Sequence, residues 1–298
     1  MNMKKYAMIL VAISMSFVSC EKWLDLQQEG EITASQLYGK GEGYRTALNG
    51  LYQAMGRPDL YGRELSFGLV DCMSQQYDLS NKDIFTTTHY IKASKFEYDD
   101  VSLVDYIDNI WTVAFKMIAN ANDLIQHIEQ TDAHLFEKGE MEKKMIMGEA
   151  YACRALMHFD MLRLFGPLTS ELDKESIPYQ TNSDQTVTPL LSGSEVIGLI
   201  LDDLKNAVGL LKDTDPYFVE EEFSDTDLNY RRFRMNYFAA KGLMARVQLW
   251  GGDKEKAAIT AKEVIAEGQA EGAEFFPFVR LAKNSPNGSA KVAIRAAF

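Results

Sequence analysis

The chain has 298 residues, of which 46% are hydrophobic and 25% charged, the balance of a globular protein with a sizeable core. Its formal net charge of −12 argues against a nucleic-acid backbone as partner, because phosphate binding needs a basic surface, and against electrostatic docking on anionic lipid. Three cysteines, at positions 20, 72 and 153, are too few for a disulfide scaffold.

The N-terminus carries a short export pattern. Lys4 and Lys5 precede an apolar run from Tyr6 to Val18, which is too short to span a bilayer, and Ser19-Cys20 follows directly. This pattern resembles a bacterial lipoprotein signal peptide. It predicts that residues 1–19 are removed and that Cys20 becomes the lipidated first residue of a tether over 20–42. An ordinary secretory signal followed by an incidental cysteine is the alternative.

The first predicted helix of the folded body runs from about Gly43 to Met55, where apolar residues recur every three or four positions. Residues 59–104 differ, because they are rich in aromatic, amide and hydroxyl side chains and lack a sustained period. A long irregular segment in a helical domain is usually a functional excursion or a mobile loop. We therefore expect functional residues there.

Two longer helices are predicted next, over about Val104–Gln130 and Met141–Leu168. The short polar link between them predicts an antiparallel hairpin. The second helix is apolar on nearly all sides and must be covered by several neighbours, so we place it at the centre of the fold. Gly166-Pro167 should end it, with the glycine in the left-handed conformation.

The remaining pattern is helical with loops between. Residues 167–192 are predicted to be loop, and Ser192 with Glu195 forms a capping box for a helix that ends near Leu211. An acidic and aromatic loop spans 213–232. Residues 236–268 predict a closely packed helix pair around Gly251-Gly252-Asp253, similar to a tetratricopeptide unit although no strict 34-residue period is present. The predicted fold class is all-α, a tetratricopeptide-like scaffold of helical hairpins with long irregular loops.

No catalytic or metal-binding motif stands out. The sequence has no Gly-x-Ser-x-Gly, P-loop or His-Glu-x-x-His pattern. His127 and His134 could share a helix face, but a zinc site needs more than two ligands. Acidic pairs that could imitate a glycosidase dyad are expected by chance among 43 carboxylates. We therefore expect no enzymatic activity, no cofactor and no metal. A disulfide between Cys72 and Cys153 is conceivable, but the apolar setting of Cys153 favours a buried free thiol.

Candidate ligand residues come from the irregular segment. Sugar rings stack on aromatic side chains, and amide or other polar groups bind their hydroxyls. This chemistry selects four candidate ligand-binding residues: Tyr77, Asn81, His89 and Tyr90. Packing of these side chains within the loop is the alternative.

Five segments in order resemble the SusD/RagB family of surface lipoproteins. They are CEKWLDL from Cys20, ALNGLYQAM, YIDNIWTVAFKMIANANDLI, GEAYACRALMHFDMLRLFGPL and AAKGLMARVQLWGGDKEKA. The fourth, with Gly-Glu-Ala-x-x-x-Arg-Ala at 148–155, is the most specific. The resemblance assigns residues 43–298 to a SusD-like helical domain. It also implies that the family's C-terminal region is largely missing, and that Glu149, Arg154 and Arg163 are structural polar groups.

The resemblance also implies a function. Family members lie at the cell surface on the outer membrane, where they bind glycans or other nutrients and deliver them to a TonB-dependent, SusC-like transporter. On this interpretation the partners are an oligosaccharide, the transporter and the membrane that holds the lipid on Cys20. The alternative is a lipid-anchored helical-repeat scaffold that assembles envelope proteins and binds no small ligand.

Overall fold

The computed structural model describes residues 33–79, 87–184, 186–215 and 231–270. The chain divides into two compact units, Met1–Leu37 and Tyr38–Phe298. In the described part of the first unit, α1 (Ala34–Leu37) follows Thr33, whose side-chain oxygen accepts a hydrogen bond from the Gln36 amide at 3.3 Å. The predicted signal peptide, Cys20 and most of the tether lie outside the described residues.

The described part of the second unit is mainly helical. Its helices are α2 (Gly41–Met55), α3 (Leu69–Met73), α4 (Thr88–Ser94), α5 (Val101–Gln130), α6 (Gly139–Phe165), α7 (Gly193–Lys212), α8 (Tyr237–Trp250) and α9 (Lys254–Ala270). Short 3-10 turns cover Ala133–Leu135 and Arg231–Phe233. The prediction of an all-α scaffold is confirmed. Within the described residues, no helix is both long and apolar enough to cross a membrane.

One small sheet was not predicted. Strands β1 (Glu175–Pro178) and β2 (Leu190–Ser192) pair antiparallel inside the segment expected to be loop, with Glu175 opposite Ser192. Strands of four and three residues are too short to show the alternation of apolar and polar residues that identifies a strand.

Helix α6 is the centre of the fold, as predicted. It packs mainly against α7 and α5, and it also contacts α2, α8 and β1. Its buried side chains include Met145, Ile146, Cys153, Met157 and Phe159. Gly148 permits the close approach of α7, since a Cβ atom there would lie 2.8 Å from Cγ of Leu211. Gly148, the first residue of the most specific motif, is therefore required for the close packing of α6 against α7.

The end of α6 corrects one expectation. The helix stops at Phe165 rather than Leu168, and Gly166 has a φ of −86°, which is not left-handed. Glycine is needed there for space instead. A Cβ atom would clash with the Leu162 carbonyl oxygen and would lie 2.9 Å from Oγ of Ser176 on β1. The predicted left-handed cap is therefore wrong, although the glycine does mark the end of the helix.

The last helix pair matches the sequence pattern. Helices α8 and α9 pack against each other around the turn at residues 251–253, where Gly252 has a φ of +89°. Helix α8 also packs against α7, so the pair continues the stack. Asp253 caps the start of α9, because its Oδ1 accepts a hydrogen bond from the Lys256 amide at 3.0 Å.

The polar residues of α6 join distant elements. Arg154 forms a two-pronged ion pair with Asp203 on α7, at 2.7 and 2.6 Å, and donates to Oδ1 of Asn122 on α5 at 2.8 Å. Tyr179 donates to the same Asp203 carboxylate at 2.5 Å. This buried network ties three helices and the start of the hairpin loop together, which supports the structural role expected for Arg154.

Candidate functional site

The irregular segment folds around two short helices with the same type of end. After α3, the Gln75 amide donates to the Cys72 carbonyl at 3.2 Å and the Gln76 amide to the Asp71 carbonyl at 3.0 Å. After α4, the Phe96 amide donates to Ala93 at 3.0 Å and the Glu97 amide to Lys92 at 3.1 Å. Each pair of bonds is a Schellman motif, which satisfies the last carbonyl groups of a helix.

Two contacts join these helix ends. Nε2 of Gln75 donates to the Ser94 carbonyl at 2.6 Å. The hydroxyl of Tyr98 lies 3.8 Å from Sδ of Met73. Residues 73–77 and 94–98 are therefore held side by side, and the two turns form one structural unit.

Four large aromatic side chains are exposed on this unit and just before it. The exposed fractions are 57% for Phe67, 37% for Tyr77, 55% for Phe96 and 46% for Tyr98. The Phe96 and Tyr98 rings meet edge to face, with centroids 6.2 Å apart. The Tyr77 hydroxyl donates to the Phe67 carbonyl at 2.7 Å. We refer to these four residues as the aromatic surface.

The four sequence-predicted residues occupy different environments. Tyr77 belongs to the aromatic surface, and Asn81 lies outside the described residues. His89 is buried, with 8% exposed, and its ring stacks on Tyr106 with centroids 3.6 Å apart. Burial lowers the pKa of the His89 imidazole, which favours its neutral form. Ligand binding by these four residues stays a prediction.

Tyr90 is half-buried and belongs to a support beneath the segment. Its hydroxyl donates to Oε1 of Glu64 at 3.2 Å. Burial and the neighbouring Glu64 carboxylate raise the pKa of Tyr90 to about 12. Glu64 is itself buried, and its Oε2 accepts from the Leu69 amide at 3.1 Å, at the start of α3. Tyr90 therefore stabilises the unit that carries the aromatic surface.

Phe67, Phe96 and Tyr98 were not among the predicted site residues. The sequence shows only that they are aromatic and follow no helical stripe. Their exposure depends on where α3 and α4 end, which the period of apolar residues does not show for helices of five and seven residues. The aromatic composition of the segment was the available signal.

The acidic and aromatic loop predicted over 213–232 lies mostly outside the described residues. Its two described ends are joined, because Arg231 donates to both carboxylate oxygens of Asp215 at 3.0 Å. Both residues are buried. Arg231 also forms an ion pair with Glu149, so the described ends of this segment are attached to the central helix α6.

Within the described residues, no cluster of three or more His, Cys, Asp or Glu side chains is placed to hold a metal ion. His127 stacks on Tyr38, with centroids 4.2 Å apart, whereas His134 pairs with Asp132 at 2.7 Å. Cys72 and Cys153 are buried free thiols. Asp100, which neighbours Asp99 in sequence, caps α5 by accepting a hydrogen bond from the Ser102 amide at 3.0 Å.

Comparison with known proteins identifies relatives of this chain. A SusD-like family model, described as starch-binding associating with outer membrane, matches residues 68–249. SusD-like protein P2 of Formosa agariphila is 25% identical over 268 residues, which cover 88% of this chain and 46% of that relative. This chain thus spans about half the length of the curated relatives it matches.

Solved structures share the fold. A SusD superfamily protein from Bacteroides vulgatus superposes with a TM-score of 0.57 and 23% identity, covering 78% of this chain and 48% of that one. A laminarin-binding SusD-like protein superposes with a TM-score of 0.53 and 20% identity, covering 76% and 43%. At 23% and 20% sequence identity, these similarities show a shared fold.

Proposed function

This chain belongs to the SusD-like family, and we propose that it is a non-enzymatic glycan-binding protein of the outer membrane. The observation that supports this function best is the aromatic surface. Four exposed rings lie on a segment held rigid by hydrogen bonds, within or next to the family match at 68–249. Aromatic faces bind the C–H faces of sugar rings, while neighbouring polar groups orient the hydroxyls.

We further propose that Cys20 carries a lipid and that the protein delivers its ligand to a TonB-dependent, SusC-like transporter. The export pattern at the N-terminus and the family resemblance support this part of the proposal. In this arrangement the helix pairs face the transporter, and the segments 59–104 and 213–232 face the ligand. Movement of the protein as a lid releases the glycan into the barrel.

The test is direct binding by the full chain. Isothermal titration with laminarin, the glycan named for one fold neighbour, and with soluble starch, named for the family, should give saturable heat with at least one of them. Tyr77→Ala should weaken that binding by roughly tenfold, which corresponds to about 1.4 kcal/mol. Ile259→Ala is the matched control, because it truncates an exposed apolar residue on α9.

The outcomes separate the two candidate functions. Equal binding by the intact protein and the Tyr77→Ala variant would reject Tyr77 as a ligand residue. No binding of either glycan by the intact protein would favour the envelope-scaffold function. Copurification of a TonB-dependent transporter with the full-length protein from detergent-solubilised outer membranes tests the delivery step separately.

A further inference from the structure

Two residues of the candidate site have an unusual backbone conformation. Gln75 has a φ of +60° and Phe96 a φ of +58°, and they are the only residues other than glycine with positive φ in the described parts of the chain. Each is the first residue beyond the cap of its helix, in the Schellman motif that ends α3 or α4. Glycine is the usual residue at that position, because a side chain makes the left-handed conformation unfavourable.

Phe96 is the less expected of the two. Asparagine and aspartate tolerate the left-handed region better than other residues, whereas a bulky side chain there is a genuine outlier. Strained backbone conformations of this kind tend to occur at binding and switch sites, where the side chain is needed for function. The strain at Phe96 therefore calls for a benefit that offsets it.

Packing does not supply that benefit. The Phe96 side chain is 55% exposed, so burial of its ring contributes only part of what a core phenylalanine would contribute. The Tyr98 ring, which it meets edge to face, is itself nearly half exposed. A glycine at position 96 would keep both Schellman hydrogen bonds, because they are made by backbone atoms.

The surroundings of the two rings fit an uncharged ligand. Residues 92–100 contain two lysines and three carboxylates, and Lys92 pairs with two of these carboxylates, Glu97 at 2.6 Å and Asp100 at 2.9 Å, so the sequence around the two rings carries no excess positive charge. The whole chain carries a formal charge of −12, which repels polyanions. A sulfated or uronic-acid polymer would find little compensation here, whereas a neutral sugar ring would lose nothing.

We propose that Phe96 and Tyr98 form the principal stacking platform of the site, and that it receives a neutral pyranose ring. The strained backbone at position 96 projects the Phe96 ring outward beside Tyr98, and the contact between Tyr98 and Met73 fixes the second ring against α3. This inference rests on the proposed glycan-binding function. It assigns the main contact to residues other than Tyr90 and His89, which lie beneath the surface.

Phe96→Gly tests the proposal because stability and binding should change in opposite directions. Relief of the left-handed strain should raise the Tm by about 2–4 °C for a chain of this size. Loss of the ring should weaken binding of laminarin or soluble starch at least about tenfold, measured by titration with the full chain. Tyr98→Ala should weaken binding similarly, and Tyr98→Phe, which keeps the ring but loses the hydroxyl contact with Met73, should weaken it less.

Two variants control for the backbone change. Phe96→Asn also removes the ring but lacks the backbone freedom of glycine, because asparagine tolerates the left-handed conformation, and its binding should fall as far as that of Phe96→Gly. Phe96→Tyr keeps the ring and the strain, so both Tm and affinity should remain close to those of the original protein. Dextran sulfate serves as the charged probe and should not bind.

Each outcome has a definite meaning. Undiminished glucan binding by Phe96→Gly would overturn the platform and leave the glycan-binding function standing. A lower Tm for Phe96→Gly would overturn the argument from strain, because the ring would then be stabilising the fold. Tighter binding of dextran sulfate than of either glucan would overturn the neutral-ligand assignment. Failure of the intact chain to bind either glucan would overturn the proposed function together with this inference.

Discussion

Glu149 illustrates how single residues hold this scaffold together. Glu149 lies on α6, and its carboxylate is fully buried. It accepts hydrogen bonds from Arg231, from Nε of Arg234 at 2.9 Å and from the Tyr52 hydroxyl. Burial alone would raise the pKa of Glu149, but the two guanidinium groups hold it below its usual value. The charge is therefore retained inside the core, and its removal would leave the arginines poorly compensated.

We expect Glu149→Gln to destabilise the protein by about 3–5 kcal/mol, the usual cost of removing one partner from a buried ion pair. The amide keeps the shape of the carboxylate, so the loss is electrostatic. Urea denaturation monitored by circular dichroism measures it. Asp202→Asn, which breaks an exposed pair with Lys205, is the control and should cost less than about 1 kcal/mol. Equal costs for the two variants would contradict the prediction.

His158 is a second buried group with a defined charge state. Nδ1 donates to the Arg154 carbonyl at 3.0 Å, and Nε2 accepts from the Gln180 amide at 3.1 Å. A neutral ring satisfies both bonds, whereas a protonated ring cannot accept the second. Burial lowers the pKa of His158 to about 3. The folded protein therefore resists protonation at a pH where the unfolded chain accepts a proton.

The stability of the protein should consequently fall as the pH drops below about 6.5, the usual pKa of histidine. The contribution of His158 is fully present above that pH and is lost progressively down to about pH 3, with a slope of at most about 1.4 kcal/mol per pH unit. Urea denaturation between about pH 7 and pH 5 measures the slope. His158→Gln should reduce it, and His89, whose pKa burial also lowers, accounts for part of the remainder. Identical slopes would show that His158 does not titrate on unfolding.

At the scale of elements, helix ends carry the most local information. The capping box predicted from Ser192 and Glu195 is present, because Oγ of Ser192 accepts from the Glu195 amide at 3.3 Å and Oε2 of Glu195 accepts from the Ser192 amide at 2.9 Å. This motif can be recognised in sequence because both partners lie within four residues. The ends of α3 and α4 could not, since the sequence at those positions lacks the expected glycine.

Ser192→Ala should destabilise the protein by about 1 kcal/mol, because the Glu195 amide at the start of α7 loses its acceptor. The corresponding decrease in Tm is about 2–4 °C. Thermal unfolding by calorimetry measures it. Ser194→Ala is the control, as Ser194 is exposed on the same turn and is not the cap. A decrease of the same size for both variants would mean that the capping bond contributes nothing measurable.

The long helices could be predicted and the short elements could not. The starts of α2 and α5 lie within three residues of their predicted positions, because their apolar residues repeat over several turns. Helices α3 and α4 and the β1–β2 hairpin depend on distant partners, such as Glu64 for the start of α3. For the candidate site, the aromatic and polar composition of residues 59–104 pointed to this segment and to Tyr77 within it. The exposure of Phe96 and Tyr98 requires the backbone angles of the folded chain.

At the scale of the whole molecule, the sequence-distant parts of the second unit meet at α6. Arg234 donates to Oδ1 of Asn49 on α2 at 3.0 Å, across 185 residues of chain. The Tyr52 hydroxyl accepts from the Met235 amide at 2.8 Å. These contacts join residues that are far apart in sequence, so a local sequence pattern cannot predict them. Arg234 and the Tyr52 hydroxyl also donate to Glu149 on α6, so this one residue of the motif joins the two distant parts of the chain.

The proposed attachment of the protein to the outer membrane through Cys20 gives the last prediction. If Cys20 is acylated, Cys20→Ser should abolish incorporation of labelled palmitate in a Bacteroides host and remove the protein from the membrane fraction. The apolar run at 6–18 is too short to hold the protein by itself. Cys72→Ser is the matched control, because Cys72 is a buried thiol of the folded body, and its labelling should be unchanged. Labelling that persists in Cys20→Ser would place the acyl group on another residue, and an unlabelled original protein would mean that the N-terminal pattern is an ordinary secretory signal.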